Sequence, residues 1–163
     1  MEAAKFFDRV GAEVGVLYGA NAKDIIRAVS PKRLYLVDSY TNYEGYTDYA
    51  SKLLVAKEEA IALLAPVKDR TVWIIDDSVA AAESIVEQLD FIYLDANRAY
   101  EYEVANIHAY WTKLRPGGWI GGPGYDSEWP DVIRAVDEFV SIYGTVLHTQ
   151  NNYPGCVNRD WWV

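Results

Sequence analysis

Apolar and polar positions along this chain switch between two periods. Short apolar runs, which read as strands, alternate with stretches whose apolar residues recur every three to four positions, as on one face of a helix. The runs fall at residues 10–17, 33–38, 71–75, 90–95, 119–122, 145–149 and 158–163. The helical stretches fall at 22–29, 49–65, 79–88, 100–113 and 131–143. In the second of these, Leu53, Leu54, Ala60, Ile61 and Leu64 supply the apolar face. The punctuation agrees. Ser30-Pro31 stops the first helix, Pro66 the second and Gly144 the last, while Asp76-Asp77-Ser78 forms a turn and helix cap. Leu114-Arg-Pro-Gly-Gly118 reads as a turn, 123–129 as a loop, 151–155 as a turn and 1–9 as a short helix or lead-in. Strands and helices alternate until the last two strands, which pair through a turn. The pattern predicts an α/β fold with a parallel, doubly wound sheet and a hairpin at one edge.

Folds of this kind hold ligands at the carboxyl ends of the strands, near the point where strand order reverses. The first strand passes through Glu13-Val-Gly-Val-Leu-Tyr-Gly-Ala-Asn-Ala22 into a helix. Gly15 and Gly19 lack a Cβ, so a ligand can lie close to the backbone, and free N–H groups at the helix start face it. The pattern is acidic-x-Gly-x-x-x-Gly, not the Gly-x-Gly-x-x-Gly of dinucleotide enzymes. Three further strand ends carry acids. Asp38 can accept both hydroxyls of a ribose. Asp77 with the Ser78 amide can hold an adenine edge, or serve as an ordinary helix cap. Asp95 can balance a cationic ligand or accept a proton.

Composition narrows the classes. A length of 163 residues predicts a single domain, 1–163. Apolar content of 51% marks a globular chain. Net charge is −9, with 24 acidic against 15 basic residues and no Lys/Arg cluster, which argues against nucleic acid as a partner. The lone Cys156 leaves no internal disulfide and fits a reducing compartment. Neither a membrane span nor a signal-peptide pattern is visible, so a cytoplasmic location is expected.

These residues together resemble the class I, S-adenosylmethionine-dependent methyltransferases. Within them the chain is most similar to the small family found beside glycosyltransferases and sugar-modifying genes. The motifs that carry the likeness are Glu13-Val-Gly-Val-Leu-Tyr-Gly19, Leu34-Tyr-Leu-Val-Asp38, Asp76-Asp-Ser78, Asp90-Phe-Ile-Tyr-Leu-Asp95, Leu114-Arg-Pro-Gly-Gly118 and Ile133-Arg-Ala-Val-Asp-Glu-Phe139. The resemblance implies a Rossmann-like, doubly wound, seven-stranded sheet with an antiparallel last strand and helices on both faces. It implies S-adenosylmethionine as cofactor. Glu13, Gly15 and Gly19 would line its methionine half, Asp38 would hold the ribose, and Asp77 with Ser78 the adenine, with Tyr18 and Ser39 as further cofactor-binding residues. Asp95 would stand between the methionine end and the acceptor.

The sequence departs from its relatives at two places. Where they carry Asp-Gly-x-His-x-Tyr, this chain has Asp95-Ala-Asn-Arg-Ala-Tyr100, with Arg98 in the histidine place. Where they carry Gly-His-Asp-Tyr, it has Gly122-Pro-Gly-Tyr125. Arginine is no metal ligand, and Pro123 and Gly124 offer no ligand atoms, so no divalent metal is expected.

The expected activity is O-methylation of a sugar or small-molecule hydroxyl. Asp95 is the first choice of proton acceptor and His148 the second, while His108 reads as a surface or packing residue. Arg98, Tyr125 and Tyr43 are the expected acceptor-binding residues. Tyr40, Tyr43, Tyr46 and Tyr49 could form an aromatic wall for sugar stacking, or pack the following helix on the sheet. Trp161 and Trp162 could form a homodimer surface or close the core. Two other readings stand beside this one: a catalytically silent S-adenosylmethionine-binding module, and a nicotinamide-dependent oxidoreductase.

Overall fold

The computed structural model describes residues 8–42, 50–151 and 158–163. Seven strands form one sheet: β1 (Val10–Val14), β2 (Arg33–Val37), β3 (Thr71–Ile74), β4 (Leu89–Leu94), β5 (Leu114–Gly122), β6 (His148–Asn151) and β7 (Arg159–Trp162). Their order is β3-β2-β1-β4-β5-β7-β6. β1 to β5 run parallel, and β7 lies antiparallel to both of its neighbours. This is the Rossmann-like sheet, with its terminal hairpin, that the sequence predicts.

Helices α1 (Ala20–Val29) and α2 (Ala50–Leu64) cover one face. Ala22 and Ile26 of α1, with Ala60 and Leu64 of α2, pack there against Leu34, Leu36 and Phe91. Helices α3 (Ser78–Ser84), α4 (Tyr100–Trp111) and α5 (Pro130–Tyr143) cover the other face. Ile107 and Tyr110 of α4 and Val136 and Phe139 of α5 meet Val14, Ile92, Leu94 and Ile120 there. β1 is buried on both faces along its whole length, as a central parallel strand must be. Each large side chain so buried contributes roughly 1.5–3 kcal/mol.

The element boundaries differ from the sequence reading where tertiary contacts intervene. β1 stops at Val14 because Gly15 turns the chain at φ +91°. α3 ends at Ser84, not at 88, because Ile85 leaves the helix in an extended conformation and is fully buried. Lys113 Nζ donates to the Ile85 carbonyl at 3.0 Å. The expected turn at 114–118 is absorbed into β5, yet it still loops out, since Leu89 pairs with Leu114 and Phe91 already pairs with Trp119. Arg115, on that loop, forms an ion pair with the buried Asp90, whose other oxygen accepts the Val10 N–H at 2.7 Å. β6 starts at His148, not at 145, where pairing with Trp162 of β7 becomes possible.

Candidate functional site

Strand order reverses between β1 and β4, and there a cleft of about 600 Å³ opens. Among the expected residues, Gly15, Asp38, Ser39, Asp77, Ser78, Asp95 and Arg98 line it. Leu17, Ile75, Tyr102 and Trp129 line it too, without having been singled out in the sequence, and so does Leu53, read there only as part of a helix's apolar face. Their only signal is position: Ile75 directly follows a strand, and Trp129 directly precedes a helix.

The glycine turn is held from below. Asp38 Oδ2 accepts the N–H groups of Val16 and Leu17, both at 2.9 Å, and Oδ1 accepts that of Tyr40 at 2.8 Å. The Tyr40 hydroxyl donates to the Leu17 carbonyl at 2.9 Å. Leu17 and Tyr40 both have positive φ, at 47° and 50°. Such outliers persist only where neighbouring contacts over-determine them, and these four bonds supply that restraint. Tyr40 is therefore a buried brace and faces no acceptor. Tyr43, Tyr46 and Tyr49 lie outside the described residues.

The glycines serve packing inside the chain. A Cβ on Gly15 would lie 2.0 Å from the Asp95 carbonyl oxygen. One on Gly19, the N-cap of α1 at φ +76°, would press on Ala60 of α2 at 3.2 Å. Gly15 so brings β1 against the end of β4, where Asp95 N–H also donates to the Val14 carbonyl at 2.7 Å.

Glu13 lies under this turn and is 1% exposed. Asn21 Nδ2 donates to its Oε1 at 2.9 Å, while Oε2 is buried without a partner among the described residues. Burial, reinforced by Asp95 and Asp38, raises its pKa to about 8 against the pull of Asn21. Asp77 caps α3 through Oδ1, which accepts from Val79 N–H at 3.0 Å and Ala80 N–H at 3.2 Å. Ser78 presents its carbonyl to the Tyr110 hydroxyl at 2.9 Å. Ser39 Oγ accepts from the Thr41 hydroxyl at 2.9 Å.

Asp95 and Arg98 form an ion pair at 2.8 Å, and the guanidinium lies 4.6 Å over the Trp129 ring. Burial raises the pKa of Asp95, with Arg98 opposing. Behind them Glu103, in the first turn of α4, is 3% exposed; burial raises its pKa to about 8, Arg98 pulls it down and Asp95 adds to the rise. Nothing in the local pattern marks Glu103, since a first-turn acid usually faces water.

Five expected residues do not line the cleft beside Asp95: Glu13, buried as described above, and Tyr18, Tyr125, His148 and Gly19. Tyr18 is exposed. Tyr125 donates its hydroxyl to Asp137 at 2.6 Å on α5, with its pKa raised to about 12, chiefly by burial. His148 begins the outermost strand β6 and stacks on Trp162, ring centroids 5.4 Å apart. Gly19 is buried under α2. His108 packs between α4 and α5 against Phe139 and Tyr143, as its helical position suggests. Trp161 is 1% exposed and closes the core.

Comparison with known proteins now decides the family. Residues 12–122 match the model of a family described as "Methyltransferase domain". The chain belongs to that family. Among curated proteins no significant sequence match is found. Solved structures share the fold of this methyltransferase. An rRNA methylase from Streptococcus thermophilus matches at 15% identity and TM-score 0.66, over 98% of this chain and 89% of that one. A Streptococcus mutans protein described as a methyltransferase, solved in complex with SAH, matches at 13% identity and TM-score 0.68, over 96% and 88%. A TDP-rhamnose 3'-O-methyltransferase of calicheamicin biosynthesis matches at 20% identity and TM-score 0.60, over 95% and 70%. The chain is thus a class I, S-adenosylmethionine-dependent methyltransferase.

The residues present fit that cofactor. Gly15, Asp38, Ser39, Asp77, Ser78 and Asp95 line one cleft, and Glu13, bonded to Asn21, keeps one buried carboxyl oxygen without a partner among the described residues. Among the described residues, no group of three or more His, Cys, Asp or Glu is arranged to hold a metal ion.

Proposed function

We propose that this methyltransferase acts on a hydroxyl group of a sugar or small molecule. The observation that carries this reading is Asp95. Its carboxylate lines the cleft, its backbone is fixed to β1, and burial raises its affinity for a proton. A hydroxyl acceptor must lose a proton as it is methylated, and a carboxylate with raised pKa in reach of it can accept that proton. Bound S-adenosylmethionine supplies an electrophilic methyl group on a sulfonium.

The chain's own residues divide the remaining tasks. Gly15 lines the methionine end, and Glu13, buried with Asn21, backs it. Asp38 and Ser39 take the ribose side, and Asp77 with Ser78 the adenine side, where Leu53 and Ile75 offer apolar contact. Arg98, flattened on Trp129, fixes the orientation of Asp95 and meets an acceptor oxygen or anion. Alignment of this kind supplies up to about 7–11 kcal/mol of a barrier. The likeness to an rRNA methylase concerns the fold alone. The net charge of −9 supports an acceptor other than nucleic acid, and a cytoplasmic setting fits the lone cysteine.

A second reading is favoured by one observation: Asp95 is already paired with Arg98 at 2.8 Å. A carboxylate so engaged suits a silent S-adenosylmethionine-binding module that regulates a partner.

The test is calorimetric titration with S-adenosylmethionine and S-adenosylhomocysteine, followed by transfer of labelled methyl to a panel of sugars. Transfer that Asp95→Asn abolishes supports the enzyme. Micromolar cofactor binding with no transfer to any acceptor supports the silent module.

A further inference from the structure

The sheet is covered unevenly. On the face of α1 and α2 the helices reach as far as Phe91 of β4, and the outer strands β7 and β6 carry no helix among the described residues. A groove of about 780 Å³ lies there, within the range of small-ligand sites. Its floor is aromatic: Tyr93 of β4, Trp119 of β5 and Trp162 of β7. Its rim is polar and planar: Asn21 and Asp24 of α1 on one side, Gln150 of β6 on the other.

Two observations point to the class of ligand. Trp162 is held as a plate, with His148 stacked on it at 13° between planes, and Trp119 stacks on Phe91 at 21°. No lysine or arginine lines the groove among the described residues, whereas Asp24 and Asp160 do. Anionic ligands are thereby disfavoured.

Flat aromatic faces beside amides and carboxylates suit a molecule with C–H faces and a ring of hydroxyls. Aromatic plates take the C–H faces, amides donate to and accept from the hydroxyls, and carboxylates accept from them. We infer that this groove binds an uncharged oligosaccharide. It abuts the methyl-transfer cleft. Asn21, on its rim, holds Glu13, and Tyr93, on its floor, is half-buried and feels the charges of Asp160, Asp95 and Glu13. The carbohydrate class rests on the groove's own chemistry. That the bound glycan is also the methyl acceptor, its reactive end directed to Asp95, rests on the function proposed above.

The test uses the full chain with neutral oligomers of glucose, mannose, xylose and N-acetylglucosamine, and a polygalacturonate oligomer as charged control. Binding is read by saturation-transfer NMR and tryptophan fluorescence, alongside cofactor titration. One neutral class is expected to bind, at least tenfold more weakly in Trp162→Ala and several-fold more weakly in Gln150→Ala, with cofactor affinity unchanged. Gln150 is exposed, so its variant keeps the fold. The inference is overturned if no neutral oligomer binds, if the charged control binds best, or if neither variant weakens binding. Loss of cofactor binding alone would remove the proposed function and leave the groove standing. Glycan binding without methylation would remove only the acceptor role.

Discussion

Tyr40 holds Leu17 by the carbonyl while Asp38 holds it by the amide, so one strained residue of the cofactor turn is gripped on both sides. Asp38, the residue after β2, thus braces the turn that follows β1.

Tyr40→Phe removes one side of that grip. A neutral hydrogen bond contributes about 0.5–1.5 kcal/mol, so denaturant unfolding should show a loss of that size. Cofactor affinity should fall several-fold, since Leu17 relaxes. Asp38→Ala removes three acceptances at a carboxylate and should cost more in both measurements. Equal cofactor affinity in wild type and Tyr40→Phe would show that the turn is set without this clamp.

Gly15→Ala brings a Cβ within 2.0 Å of the Asp95 carbonyl oxygen at a backbone φ of +91°. Alanine at positive φ destabilises by more than about 1 kcal/mol before any clash. The melting temperature should drop, and methyl transfer should fall further than stability does, because Asp95 moves. A variant with wild-type transfer rate and Tm would overturn the tight β1–β4 approach.

Glu13 makes stability depend on pH. Its pKa rises on folding from 4.5 to about 8, so the folded chain binds more protons than the unfolded chain between those values. The contribution is full below about pH 4.5 and is lost as pH rises through about 8. Unfolding free energy of the free protein should therefore decline across that window, less steeply in Glu13→Gln. If Glu13 meets the cofactor's ammonium, binding near pH 7 should release a proton, seen as a buffer-dependent enthalpy in wild type and absent in Glu13→Gln.

Asp95 and Arg98 should separate base from orienter. Asp95→Asn should lower transfer by about 10²–10⁴-fold with cofactor binding nearly intact. Arg98 opposes the rise in the Asp95 pKa, so Arg98→Ala should raise it. The acidic limb of the transfer profile should then move to higher pH. An unmoved limb in Arg98→Ala would assign the proton to another group.

Much of this protein is legible in its sequence because the relevant physics is local. Alternating periods mark strands and helices, so the doubly wound order follows from residues 10 to 163. Asp77 before Ser78 is a cap in sequence and in structure, because capping joins residues two and three apart. Gly15, Asp38, Asp77 and Asp95 come to one cleft because parallel strands present their carboxyl ends at one edge.

What the tertiary structure alone decided involves residues distant in the chain. Asp38 meets the amides of Val16 and Leu17 across 22 and 21 positions. Gly15 is required by the Asp95 carbonyl, and Tyr40 turns inward to brace Leu17. His148 falls on the outermost strand because β7 inserts between β5 and β6, an order that no local period encodes. Burial is likewise a property of the assembled fold. It raised the pKa values of Glu13 and Glu103 to about 8, and it left the aromatic floor of Tyr93, Trp119 and Trp162 beside outer strands that carry no helix among the described residues. Local sequence sets which way a side chain alternates, but only packing decides what it meets there and how far water is excluded.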